Sequence, residues 1–411
     1  MEKSNNQYAR RQNILTIINI TACVYSLIWM INPIHSNIYA ITIAIAIWIL
    51  SAICIRGRVL YRLFFSKSSV VIWLWPLVMI FYSMWGHMEF SLSYFIYMII
   101  GFMIPFYLLD NNYFACKVVA VAGIGYCLII SVVSIVVYSV YPNISRVLSY
   151  GSSEMIQAQG LLAYKTPFIA DYRNIYILIF LILALMEVFR QADRSRFRIL
   201  LIGLMAIFTL NLILAQFSIS YVVMLLGIAG FFVVNTGNKE QKVMYIAMLM
   251  IGAVLLMLFL KPILLGVGEL LGGNVQIHMK DFVDFLDGSG NTALTSDRIL
   301  VYSISLESIL EHPVFGAGSL DAMYVSVGNH SSILDTFARF GILGSVPYLY
   351  TIIVPYRWNY RFMEGRIQTT YRWCYAVFFF SACVNVMFNY HTLCMILVII
   401  PALFASIHKK D

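Results

Sequence analysis

Twelve apolar stretches, each close to the length of one bilayer crossing, divide this chain from end to end. They lie near residues 13–31, 38–55, 70–86, 90–109, 117–141, 174–189, 199–214, 217–235, 243–267, 340–356, 373–388 and 392–407. A membrane helix needs about 20 consecutive apolar residues, so the pattern predicts an all-α, polytopic membrane bundle of about 12 transmembrane helices. Only 11% of the residues are charged, against roughly 25% in a soluble globular chain, which excludes a water-soluble enzyme. The spans and their loops absorb residues 1–411 as a single transmembrane domain.

The net charge of +8 would suit a nucleic-acid binder if it were clustered, but its distribution is topological. With the N-terminus inside, twenty of the 27 Lys and Arg fall in cytoplasmic segments, among them the RGRVLYRLFFSK, RQADRSRFR and RWNYRFMEGR loops. The remaining basic residues share the outer segments with twelve of the 19 acids. This is the positive-inside pattern, and it predicts two cytoplasmic termini and no nucleic-acid partner. All seven cysteines lie in or beside apolar stretches, so no disulfide framework is expected. The first stretch follows Lys3, Arg10 and Arg11 but lacks a small-residue cleavage pattern, and reads as an uncleaved span.

Two outer loops are long: residues 142–173, and residues 268–339 between spans 9 and 10. Connections of that length usually carry function. In the second, Val275 to Leu286 and Arg298 to Glu311 have helical periodicity, with Thr295, Ser296 and Asp297 as a start signal and Pro313 as a stop. Ser331 to Phe340 reads as a third helix leading into span 10. There is no phosphate-binding glycine loop and no Cys or His pair at ligand spacing, so neither a metal nor a cofactor is expected. Buried charge is also scarce in the spans, apart from Glu187 and Lys261 near helix ends, which argues against an ion-coupled transporter.

The segment SDRILVYSISLESILEHPVFGAGSL, followed by NHSSILDTFARFGILGSVPYL, resembles the signature region of the O-antigen polymerase and ligase superfamily. The matching pieces are Arg298 opening a helix, His312-Pro313 closing it, Gly316 and Gly318 in a turn, His330 heading the next helix, and Gly341 with Gly344. The resemblance covers about 55 residues. It departs at Ile219, where relatives often carry an Arg, and at Ser331, where many have Asn; Arg173 is the candidate to replace the lost charge.

The resemblance implies a GT-C-like membrane glycosyltransferase working on the outer face of a bacterial plasma (inner) membrane, without metal or cofactor. It would move a growing glycan from undecaprenyl diphosphate onto the next lipid-linked repeat unit, giving O-antigen or capsule, with a chain-length regulator as a further partner. A ligase transferring finished polymer to lipid A core is the nearest rival. A lipid-linked oligosaccharide flippase, or a scaffold without activity, is the rival from another class.

Each candidate residue has a functional and a structural reading. Arg298, a planar fork suited to diphosphate, would neutralise the leaving group or else pair with Asp297 or Glu311. His330 would take the proton from the attacking hydroxyl, or else cap and pack. Arg173, Arg146, Lys165 and Arg339 are candidate contacts to diphosphate or glycan. Arg339 stands four residues after Asp335 and would otherwise pair with it, while the other three would snorkel to headgroups. His312 reads as a helix-end cation, and Asp281, Asp284 and Asp287 as a solvated face. Trp73, Trp75 and Trp85 read as interfacial anchors, and Asn385 with Asn389 as interhelical hydrogen-bonding groups.

Overall fold

In lipid every backbone N–H and C=O must be satisfied within the segment, which leaves helices as the natural element for a chain this apolar. The computed structural model is 85% helix and has no strand among the described residues, which are 2–32, 37–85, 92–141, 144–150, 168–271, 276, 279, 280, 283, 293–319 and 327–407. Within those segments the side chains of 2–10, 85, 94, 146, 149–150, 218, 249–250, 252–260, 263–264, 271, 293–299 and 319 fall outside the description.

The helices are α1 Glu2–Ile31, α2 Ile38–Phe65, α3 Leu74–Trp85 with the 3₁₀ turn Val70–Trp73 before it, α4 Leu92–Ile100, α5 Met103–Leu109 and α6 Tyr113–Tyr138. They continue with α7 Ile144–Tyr150, α8 Tyr172–Gln191, α9 Ser195–Leu214, α10 Ser218–Val234, α11 Lys239–Leu271 and α12 Ala293–Glu311. The last three are α13 Ser332–Tyr360, α14 Gly365–Val384 and α15 Tyr390–Ile407, the last containing a π-helical turn at Met395–Ile399. Among the described residues each apolar window overlaps a helix, although 385–388 at the end of the 373–388 window lie beyond α14. Seven helices among the described residues are long and apolar enough to cross a membrane: α1 from Arg11, α2, α6, α8, α9, α13 and α15. Val70–Met84, Phe95–Leu109 and Ile219–Val234 are shorter apolar helices.

Burial separates the inner helices from the outer ones. In α8 and α15, 78% and 83% of the apolar window is buried, against 22% in α9. The first two are apolar on all sides because protein surrounds them. The wide π turn of α15 loosens the usual backbone pairing, and neighbours take up its carbonyls: Tyr371 donates to Ile396 O at 3.1 Å and Asn359 donates to Leu397 O at 3.1 Å. The buried Glu187 is compensated as a buried carboxylate must be, by Gln191 at 2.9 Å, Thr370 at 3.2 Å and Arg190 at 3.7 Å.

The RGRVLYRLFFSK segment, expected as a loop, is mostly helix. α2 bends at Arg56 (φ −149°, ψ 64°) and continues to Phe65, because Leu60, Leu63 and Phe64 recur at helical spacing and are buried. At the bend Arg56 meets Asp110 at 2.8 Å. Burial pushes the Asp110 carboxyl up, and the guanidinium opposes it.

The ends of α1, α8 and α15 meet at one end of the bundle, the end that also carries the start of α13. Asn174 of α8 donates to Ile31 O at 2.8 Å, and the His391 ring of α15 lies 3.2 Å from Asn32 O. Asn385 donates to the Tyr176 hydroxyl at 2.9 Å, and Ser332 N donates to Asn385 O at 3.2 Å. Asn389 caps α15 by accepting from Thr392 N at 3.1 Å. The interhelical reading is met by Asn385, whereas Asn389 instead caps its own helix and bonds locally to Val386 O and Thr392.

Candidate functional site

The residues that carry the resemblance fold into one corner around the α12–α13 connection. α12 begins at Ala293 rather than after Asp297, since Ala293 and Leu294 favour helix and extend it toward the N-terminus. Arg298 consequently sits in the second turn, and the expectation that it opens the helix is corrected. A dipole argument for an anion at Arg298 weakens with that shift, because the macrodipole falls off within the first turn.

The His-Pro turn closes α12 and locks onto a break in α13. Gly341 (φ +57°) interrupts α13, so that Ser332–Phe340 is a short helix ahead of the longer segment. Ile342 N donates to Pro313 O at 2.9 Å and Leu343 N to Val314 O at 3.2 Å. Gly316 (φ +71°) faces this break so closely that a Cβ on it would stand 2.3 Å from Gly341 N, and one on Gly341 would stand 2.3 Å from Val314 O. Both positions need glycine twice over, for the backbone angle and for the approach. The Tyr82 hydroxyl of α3 reaches the carbonyls of Phe315 and Phe340 and ties the lock to the bundle. His312 ends α12 with Nε2 4.0 Å from Glu311, in keeping with its structural reading.

A second set of contacts joins α12 to the His330 loop. A Cβ on Gly328 would stand 1.8 Å from Val301 O, so the loop backbone lies directly on the α12 backbone. Gly328 N donates to Ser305 Oγ at 3.0 Å, and Ser305 Oγ donates to Asp335 Oδ1 at 2.7 Å. Asp335 Oδ2 accepts from Ser331 N at 3.1 Å, while Ser331 Oγ caps α13 by accepting from Leu334 N at 3.2 Å. Arg298 lies one turn before Val301 and His330 two residues after Gly328, so the two positions flank this backbone contact.

His330 is half-buried, and its Nδ1 is 3.1 Å from Gly328 O. A carbonyl can only accept, so Nδ1 carries the hydrogen, and in the neutral ring Nε2 keeps its lone pair. This is the tautomer a proton acceptor at Nε2 requires.

Arg339 does not pair with Asp335, whose oxygens are taken by Ser305 and Ser331. Its Nη2 instead makes a long contact of 3.5 Å with Asn329. Both Arg339 and Asp335 line an open cavity of about 260 Å³. Ser93, Asn329, Ser332 and Thr336 complete its polar side, and Tyr97, Phe340, Tyr348 and Phe388 give it an aromatic side. His330 is not among the lining residues.

Arg173 stands on the neighbouring end of α8. Its Nε donates to Asp171 at 2.7 Å, and its side chain is 38% exposed against 3% for Asp171. One edge of the fork is thus committed, and the Nη groups form its other edge. Arg146 is on α7, but its side chain lies outside the described residues, as do Lys165, Asp281, Asp284, Asp287 and the Arg298 side chain. Ile219 is half-buried against the apolar core.

Ser305, Tyr97 and Asp171 belong to this region and do not stand out in the sequence, whereas Asp335 does so only as the expected ion-pair partner of Arg339. Of the first three, only Asp171 carries a local signal, an N-cap before the helix YRNIYI, where a capping box forms with Asn174. Among the described residues no group of three or more His, Cys, Asp or Glu could hold a metal ion. Neither a scan of protein-family models nor a search of curated proteins finds a match to this chain.

Proposed function

We propose that this chain is a membrane glycosyltransferase that polymerises undecaprenyl-diphosphate-linked oligosaccharide repeat units on the outer face of a bacterial plasma membrane. The observation that carries the reading is the contact that joins the helix bearing Arg298 to the loop bearing His330, through Gly328, Ser305 and Asp335, beside an open cavity. In this reading all of the apolar windows cross the membrane as a GT-C-like bundle, both termini are cytoplasmic, and residues 268–339 lie outside.

The acceptor hydroxyl oxygen attacks the anomeric carbon of the donor glycan while the bond from that carbon to the diphosphate oxygen breaks. The electron pair leaves on undecaprenyl diphosphate, whose charge Arg298 offsets, with Arg173 as a second cation. The proton of the attacking hydroxyl passes to His330 Nε2, the nitrogen that the Gly328 contact leaves with a lone pair. The buried interior of α8 and α15 supports an enzyme over a flippase, which needs a hydrophilic passage between helices.

The test is lipid analysis of cells in which the wild-type gene is replaced by Arg298→Ala. Single lipid-linked repeat units should accumulate and polymer disappear at an unchanged level of membrane-inserted protein. Polymer of normal length from that variant would remove the reading.

A further inference from the structure

The cavity beside His330 has a composition that a diphosphate site would not have. Arg339 and Asp335, one helical turn apart on α13, put one positive and one negative group on the same wall. A diphosphate carries at least two negative charges and would meet the Asp335 carboxylate with a single guanidinium to offset it. A polyol meets no such conflict. Its hydroxyls donate to Asp335 and to Thr336, whose own hydrogen goes to Ser332 O, accept from Arg339 and do either with Asn329.

The same cavity is lined by aromatic side chains. Tyr97 lies tilted against Tyr390 with centroids 4.8 Å apart, and Tyr348 meets Phe388 edge-on at 5.6 Å. Rings held by one another present a fixed apolar surface, which suits the C–H face of a sugar ring. At about 260 Å³ the cavity is smaller than the roughly 300–1,000 Å³ of sites for drug-sized ligands, and its size fits one ring rather than an oligosaccharide.

We infer that this cavity is a subsite for a single pyranose ring, the terminal sugar of the acceptor, and that the diphosphate of either substrate lies elsewhere. The inference rests on the glycosyltransferase reading and divides its candidate residues: Arg339 serves the glycan, while Arg298 and Arg173 remain for the diphosphate.

A thiol placed in the wall tests it without knowledge of the native sugar. The full-length protein carries Ser93→Cys, with Cys54→Ser and Cys383→Ser removing the exposed cysteines; the other cysteines are buried. Maleimide labelling is timed with methyl pyranosides of glucose, galactose, mannose and N-acetylglucosamine, with undecaprenyl diphosphate, and with sorbitol as an open-chain control. At least one pyranoside should slow labelling where sorbitol and undecaprenyl diphosphate do not. Tyr97→Leu should raise the concentration needed by about tenfold, and Tyr97→Phe should not. Protection by undecaprenyl diphosphate alone, by sorbitol as well as pyranosides, or by none of the probes overturns the subsite. The labelling does not depend on turnover, so a protein that fails to lengthen glycan yet shows pyranoside protection loses the polymerase reading and keeps the sugar site.

Discussion

Asp335 shows how one side chain decides what its neighbours are free to do. It accepts from Ser305 and from Ser331 N, which fastens the Arg298 helix to the His330 loop and leaves Arg339 without an intrahelical ion pair. Ser305→Ala should therefore lower activity by misplacing Arg298 relative to His330, although Ser305 is not assigned to touch substrate. The loss of a buried hydrogen bond costs about 1–3 kcal/mol when a partner is left unsatisfied, so the protein should still accumulate. Turnover of the purified variant should fall while Ser305→Thr, which keeps the hydroxyl, recovers part of it; equal activity of Ala and wild type would make the network structural only. His330→Ala should leave traces of product, because a general base contributes roughly 10²- to 10⁴-fold. His330→Gln cannot take a proton at neutral pH and should resemble Ala in a rate measurement; near-normal activity would make His330 a positioning group. Arg298 and His330 were singled out in the sequence by the motif they stand in. The contact of Asp335 with Ser305 was not legible there, because its partners are 30 residues apart, beyond any helical spacing.

The elements around the site are set by glycine and by apolar spacing. Gly341 and Gly365 both have φ +57°, but a Cβ on Gly341 meets Val314 O at 2.3 Å, whereas one on Gly365 meets nothing within 4 Å. Gly365→Ala should cost about 1–2 kcal/mol, the left-handed penalty alone. Gly341→Ala should cost distinctly more and abolish activity, because the Pro313–Gly316 turn must separate from α13. Thermal stability of the two purified variants in one detergent checks the order, and equal shifts would contradict the lock. The helical windows were readable from apolar length, and the Gly-x-x-Gly break in α13 fell where the sequence divides a leading helix from the span behind it. The continuation of α2 past Arg56 was not foreseen, because basic residues masked the apolar spacing of Leu60, Leu63 and Phe64. The start of α12 was misplaced for a similar reason: Thr295, Ser296 and Asp297 look like a cap but lie inside the helix.

Across the whole molecule, the long apolar helices make a membrane-embedded bundle, and the asymmetry of Lys and Arg predicts which ends face the cytoplasm. Alkaline phosphatase fused after Lys410 should be inactive, and a Cys placed at Ser289 should react with an impermeant thiol reagent added outside; the opposite pair of results would invert the topology. The composition of the cavity was not readable, since α4, α13 and the turn after α14 each bring only part of its lining. The account as a whole stands on one reaction. The purified full-length protein, given synthetic undecaprenyl-diphosphate-linked repeat units, should build a ladder of lengthened glycan and release undecaprenyl diphosphate in step with each added unit, with Arg298→Ala giving neither. Intact repeat units after incubation with active, membrane-reconstituted wild type, or the same ladder from Arg298→Ala, would contradict it.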